Sequence, residues 1–266
     1  MKVVLFCGGL GTRLREYSGT LPKPMVSIGG RPIIRHLMKY YAHFGHTEFV
    51  LCLGYRGELI KQYFLEQEGR SGDVESLGAA QQVTWDGGDG EKWKITFADT
   101  GLDSNIGERL KSVQPYLGDA PAFLANYSDA LSDLPLTEYL ARFRQEDKIA
   151  SLVCVSPSQS FHTVSISRDG LVDDIQTLAE AGLWINGGFF VFKREFFDYL
   201  KDGEELVREP FRRLIGLRQL AAYRYGGFWR CMDTFKDKQA FDDMEARGET
   251  PWQVWESSQG GRAGDA

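Results

Sequence analysis

The sequence predicts an α/β fold: a mostly parallel sheet flanked by helices, with antiparallel additions in its second half. Two observations predict the parallel part. Short continuous apolar runs alternate with amphipathic helical patterns, and a glycine-rich turn directly follows the first run. Strands apolar on both faces belong to a sheet covered on each side, joined by right-handed crossovers. A third observation predicts the additions: an Asp169-Gly170 turn separates two strand-like stretches, and the apolar run INGGFFVF follows.

Taken in order, the first strand covers 3–7, where Val3, Val4, Leu5 and Phe6 lead into Cys7. A helix over 33–44 sets Ile34, Leu37, Met38, Tyr41 and Phe44 on one face. A strand at 49–53 and a helix at 57–64 complete a βαβα opening. Residues 69–92 mix glycine with acidic side chains and read as a surface excursion, too short for a domain of its own. The alternation resumes with a strand at 94–99, a helix at 108–116, a strand at 122–126 running into YSDALSD, a helix at 136–145 and a strand at 151–155. Antiparallel structure fills 163–192, and helices follow at 208–217 and 234–247. The ending over 257–266 is small and polar, which predicts a disordered tail behind a single domain spanning 1–256.

At 266 residues the chain approaches the size at which one hydrophobic core stops growing. Its 31 basic and 37 acidic residues give a net charge of −6, and no basic stripe interrupts that balance, which excludes polymeric nucleic acid as the expected partner. The opening MKVVLFCGG has neither the apolar length nor the cleavage site of a signal peptide, and no membrane-spanning run occurs, so a cytoplasmic protein is expected. Cys7, Cys52, Cys154 and Cys231 stand singly among apolar neighbours and read as buried reduced thiols, not as zinc ligands or disulfides.

The turn after the first strand carries the chemistry. In open parallel sheets ligands bind beyond the carboxyl ends of the strands, and the first βα turn can aim backbone N–H groups at an anion. Gly8, Gly9 and Gly11 remove every Cβ there, so the chain can close round a phosphate or a flat base. Arg13 offers a bidentate fork, and Lys23, held between Pro22 and Pro24 on a stiff extended segment, offers a point charge. A Walker loop is excluded because no Gly-Lys-Ser/Thr follows. A dinucleotide fingerprint is excluded because Arg13 stands where its last glycine belongs.

The string GGLGTRL, followed after seven residues by PKP, resembles the sugar-1-phosphate nucleotidylyltransferases, most of all those that act as glucose-1-phosphate cytidylyltransferases. The likeness extends through PMVSIGGRPIIRHLMKYY, LGYRGELIKQYF, DTG at 99–101, RLKSV, INGGFFVF and GFWRCMDTFKDK. It implies a Rossmann-like core, a nucleotide-binding half over 1–130 and a sugar-binding half over 131–256. It assigns the triphosphate to the glycine loop with Thr12 and Arg13, the α-phosphate to Lys23, and Mg²⁺ to Asp129 and Asp233. Backbone contacts at Leu5, Cys7, Gly8, Gly9, Gly54 and Tyr55 would choose the base, CTP being favoured. Asn186 and Gly187 would face the sugar.

The residues themselves agree with this assignment and leave alternatives. Asp129 follows a parallel strand, so its carboxylate stands at the pocket mouth, and hard carboxylates suit Mg²⁺. Asp233-Thr234 also reads as a helix cap. The Asn186-Gly187-Gly188 break reads as a bulge or as a close approach to ligand. His36, His43 and His46 read as solvated or partly packed, and His162 beside Phe161 as a weak substrate contact. The reaction expected is direct displacement at phosphorus without a covalent intermediate. The resemblance further implies a homo-oligomer, for which 69–92 is the expected contact.

Two departures from the family pattern stand out, the first at the metal aspartate, where small neighbours leave metal binding expected, and the second at the acceptor. Ser128 and Ala130 flank Asp129 where the family carries glycines. The stretch DDIQTLAEAGLW before INGGFFVF lacks the lysine of the family's Glu-Lys-Pro-Lys motif, leaving Arg168, Arg109 or Lys193 as substitutes. The alternatives are therefore a cytidylyltransferase with a different phosphorylated or phosphonylated acceptor, and a non-catalytic nucleotide-sugar-binding relative.

Overall fold

The computed structural model describes residues 1–9, 21–66, 70–86, 92–157 and 161–257. Strand β1 (Val3–Phe6) is wholly buried and enters the chain's first crossover. A short hairpin of β2 (Ser27–Ile28) and β3 (Arg31–Pro32) leads into helix α1 (Ile33–His43), then β4 (Glu48–Leu53) and α2 (Gly57–Glu66). Strands β5 (Arg70–Leu77), β6 (Ala80–Asp86) and β7 (Lys92–Asp99) come next, then α3 (Ile106–Ser112), β8 (Ala122–Tyr127), β9 (Ala130–Ser132), α4 (Leu136–Glu146) and β10 (Ala150–Val155). The rest comprises β11 (His162–Ile166), β12 (Val172–Thr177), β13 (Ile185–Asn186), β14 (Phe190–Lys193), α5 (Glu209–Gly216), β15 (Leu220–Tyr225), β16 (Trp229–Cys231), α6 (Phe235–Ala246) and α7 (Val254–Ser257).

Strands β8, β1, β4 and β7 lie side by side and parallel, so their carboxyl ends open on one edge of the sheet. Beyond β8 the sheet continues through antiparallel β14 to β10, which carries β13 on one edge and parallel β15 on the other. The α/β class with antiparallel additions is therefore as predicted. Alternate residues of each strand feed two cores. Val3 and Leu5 meet α1, α2 and α4 on one face, while Val4 and Phe6 meet Leu110, Phe196, Phe211 and Leu214 on the other. Among the described residues no helix is long and apolar enough to cross a membrane.

Several expectations need correction. The excursion at 69–92 is a strand pair, β5 and β6, that extends the sheet next to β7. Trp85 lies opposite Trp93, with ring centroids 5.1 Å apart, and packs edge-on against Phe64 of α2 at 5.5 Å. Each fully buried aromatic contributes about 1.5–3 kcal/mol, enough to order a segment rich in polar residues. Strand β15 was not anticipated, since its sequence LAAYRY is short and half-exposed. Of the four cysteines, free as expected, Cys7 and Cys52 are buried but Cys154 and Cys231 are partly exposed. His36, too, is buried, hydrogen-bonding the Ile28 carbonyl oxygen at 3.0 Å through Nε2, and burial lowers its pKa to about 4. The tail beyond Ser257 lies outside the described residues.

Candidate active site

Asp129 and Asp233, far apart in sequence, are joined by a two-stranded antiparallel ladder. Strand β16 pairs with β9 in the register Cys231–Ala130, and the next amide, Met232 N–H, donates to the Asp129 carbonyl at 2.8 Å. That ladder places Asp129 and Asp233 on facing chain ends beyond the carboxyl end of β8. Asp233 is not the cap of the following helix. Thr234 is, its hydroxyl accepting from Asp237 N–H in a reciprocal capping box, which leaves the Asp233 carboxylate to the site.

Lys23 closes the cluster. Its Nζ lies 2.6 Å from Asp129 Oδ2 and 2.5 Å from Asp233 Oδ1, with the lysine side chain 14% exposed. Burial works against the ammonium, but the two carboxylates outweigh it and hold the Lys23 pKa above its ordinary value. Pro22 is extended as expected, yet Lys23 itself opens a 3₁₀ turn, with Met25 N–H bonded to the Pro22 carbonyl. The turn, not a stiff extended segment, aims Lys23 at the two acids. Two carboxylates facing one cationic group present hard oxygen donors around a single point, which fits Mg²⁺ with substrate phosphates completing its shell. Among the described residues no cluster of three or more His, Cys, Asp or Glu forms a fuller cage. Ser128, where the family has glycine, donates its hydroxyl to the Phe6 carbonyl at 2.7 Å and so ties the Asp129 loop to the end of β1. Cys231 Sγ lies 3.6 Å from Asp233 Oδ2; burial and that carboxylate push the thiol up to about 12.

On the nucleotide side, Leu5 and Cys7 bury their side chains completely, so only their backbone is available to a ligand. Gly8 and Gly54 crowd against Arg109. A Cβ on Gly8 would lie 2.1 Å from Arg109 Nη1, and one on Gly54 2.9 Å from the Gly101 carbonyl. Gly9 is open, and Tyr55 accepts a 3.2 Å bond from Arg56 Nε. Arg109 is 2% exposed, and its guanidinium donates to the carbonyls of Leu53, Gly101, Gly8 and Leu102 and to Thr100 Oγ1. It is a strut that fixes the end of β4, the 100–102 loop and the glycine turn, and it has no edge left for an acceptor phosphate. Gly11, Thr12 and Arg13 lie outside the described residues.

On the sugar side, the Asn186 amide donates to Tyr127 Oη at 3.3 Å, and its Oδ1 accepts from Gly188 N–H. Gly187 packs under Trp229, whose Nε1–H donates to its carbonyl. The bulge reading of the glycine pair holds: Gly188 has φ +77° and Phe189 +48°, between β13 and β14. Asn126, fully buried in β8, accepts from Phe189 N–H and would be struck by a Cβ on Gly188 at 2.3 Å. Sequence reasoning passed over Asn126, Tyr127 and Thr100. An asparagine inside the apolar run FLANY was the available signal for the first. Arg168 sits exposed at the tip of the β11–β12 hairpin, and Lys193 pairs with Asp147 at the end of the sheet away from the cluster. Lys193 therefore does not reach the site.

The arrangement lies along the carboxyl ends of β4, β1 and β8, with the antiparallel β13 beside the carboxyl end of β10, cationic at Lys23, acidic at two points, suited to bringing phosphate groups together. It corresponds to a known class of enzyme. A model of the family described as nucleotidyl transferase matches residues 2–214, and the chain belongs to that family. Within it, the chain is 38% identical over 258 residues to the glucose-1-phosphate cytidylyltransferase of Salmonella typhimurium, covering 96% of this chain and all of that one. The enzyme of the same name from Salmonella typhi is 37% identical over an equal span. The solved structure of UDP-glucose pyrophosphorylase complexed with UDP-glucose shares the fold, with a TM-score of 0.67 over 93% of this chain and 98% of that one at 13% identity.

Proposed function

We propose that the chain transfers CMP from CTP to a sugar 1-phosphate of the glucose 1-phosphate kind, releasing pyrophosphate. The observation that carries this reading is Lys23 between Asp129 and Asp233 at the carboxyl edge of β8. The likeness to cytidylyltransferases named for glucose 1-phosphate supports the choice of substrates. A phosphate monoester has its second pKa near about 6, so at neutral pH the acceptor is already nucleophilic. Its oxygen forms a bond to the α-phosphorus as the bond to the pyrophosphate oxygen breaks, and the electron pair leaves with pyrophosphate. The barrier is mutual repulsion of two anions, which calls for in-line placement and positive charge. Lys23 supplies that charge at the α-phosphate, and the glycine turn and Arg13 take the triphosphate. Asp129 and Asp233 hold Mg²⁺, which when bound neutralises phosphate charge. Arg109 keeps the base-side loops in place without touching the reaction. No serine, cysteine or histidine nucleophile is needed; the Cys231 thiol, held protonated, does not serve as one.

Incubation with each nucleoside triphosphate, Mg²⁺ and a panel of sugar 1-phosphates, followed by pyrophosphate release, tests this. CTP is expected to be the productive nucleotide, and Asp233→Asn to lower turnover about 100- to 1,000-fold. No release from any pair would defeat the reading. Release with CTP and only a non-sugar acceptor would favour the second one, to which the lysine-free 172–184 stretch points. We also read the protein as cytoplasmic and homo-oligomeric, with the open edge of β5, where Val74 and Leu77 are exposed, as a contact. Light scattering is expected to give a multiple of the 30.0 kDa chain mass; a monomer would remove that contact.

A further inference from the structure

The far end of the sugar side holds a cation that the reaction does not use. Strand β10 runs between β13 and β15, and its Cys154 lies opposite Asn186 on one edge and opposite Arg224 on the other. Residues directly opposite across neighbouring strands project to the same face, so Asn186, Cys154 and Arg224 form one row. Trp184, two residues before Asn186, carries the Arg224 guanidinium 5.4 Å from its ring centroid. The ring steadies the guanidinium, whose N–H groups make no hydrogen bond among the described residues. Arg224 is exposed, and among the described residues it makes no ion pair.

Its position decides what it can bind. Three strand spacings, about 14 Å, separate Arg224 from Tyr127 at the end of β8, beside Asp129. That is too far for the acceptor phosphate that must meet the α-phosphate at Lys23. Asn186, bonded to Tyr127, lies between them. A sugar whose anomeric phosphate points to Lys23 and whose ring lies along Asn186 presents its opposite end to Arg224. Resting on the proposed sugar-phosphate reading, we propose that Arg224 and Trp184 form a distal acceptor subsite for an anionic group, a carboxylate or phosphate, carried at the end of the sugar opposite the anomeric phosphate. Arg224 is then a specificity residue, since it touches substrate away from the reacting atoms.

The test uses the whole protein with CTP and three acceptors: glucose 1-phosphate, glucuronic acid 1-phosphate and glucose 1,6-bisphosphate. A charge-assisted contact is expected to give kcat/KM about 10- to 100-fold higher with one or both distal anions than with glucose 1-phosphate. Arg224→Ala abolishes that preference through the acceptor KM, leaves the CTP KM unchanged, and Arg224→Lys restores part of it. Equal kcat/KM for all three acceptors, or a preference that persists in Arg224→Ala, would overturn the subsite while leaving nucleotidyl transfer intact. If no pair releases pyrophosphate, the catalytic reading falls and calorimetry decides the subsite: glucuronic acid 1-phosphate binding weakened in Arg224→Ala keeps it, and equal or undetectable binding removes it.

Discussion

Lys23→Ala is expected to lower turnover by about 100- to 1,000-fold at saturating substrates while the protein remains folded. The ammonium stands within 2.6 Å of both Asp129 and Asp233, at the place where the α-phosphate must be neutralised. Removing one preorganised charge from a partly enclosed site costs this much because nothing mobile can replace it during the reaction. Stability should change little. The two carboxylates left facing each other are 25% and 33% exposed, so water relieves their repulsion. Pyrophosphate release and thermal unfolding measured on the same preparation separate the effects. A variant within fivefold of the parent rate would take Lys23 out of the chemistry.

Arg109→Ala should act in the opposite way, unfolding the protein more easily by about 3–5 kcal/mol. Five acceptors lose a donor at once, and four of them are backbone carbonyls drawn from three separate chain segments. A chain of this size loses about 2–4 °C per kcal/mol, so the melting temperature should fall by roughly 10 °C. Lysine is no remedy, since a compact ammonium cannot span acceptors that a planar fork reaches together. Thermal melting with and without CTP measures this. An unshifted melting temperature with a raised acceptor KM alone would return Arg109 to the role of phosphate cation.

These two residues mark where sequence reading stops. Lys23 could be singled out because it sits between two prolines after a glycine turn, a pattern confined to one short stretch. In the sequence Arg109 is open as a substitute cation for the acceptor phosphate, and only packing shows it buried with its guanidinium bonded to the Gly8 carbonyl. The same contrast separates Asp233 from Thr234. Either could cap α6, and the β9–β16 register, set by pairing across the fold, decides that Thr234 does so and Asp233 faces Lys23.

By itself the sequence determined the α/β class, the order of most elements and the kind of ligand expected at the first turn. Those properties depend on local periodicity, backbone stereochemistry and residue type, which neighbouring residues record. Tertiary structure alone decided that β5 and β6 extend the sheet, that Asp129 and Asp233 share one lysine, and that Arg224 joins the row of Asn186. Each of these is a pairing between distant segments, stabilised by burial and strand register that become defined only when the whole chain has closed on its cores.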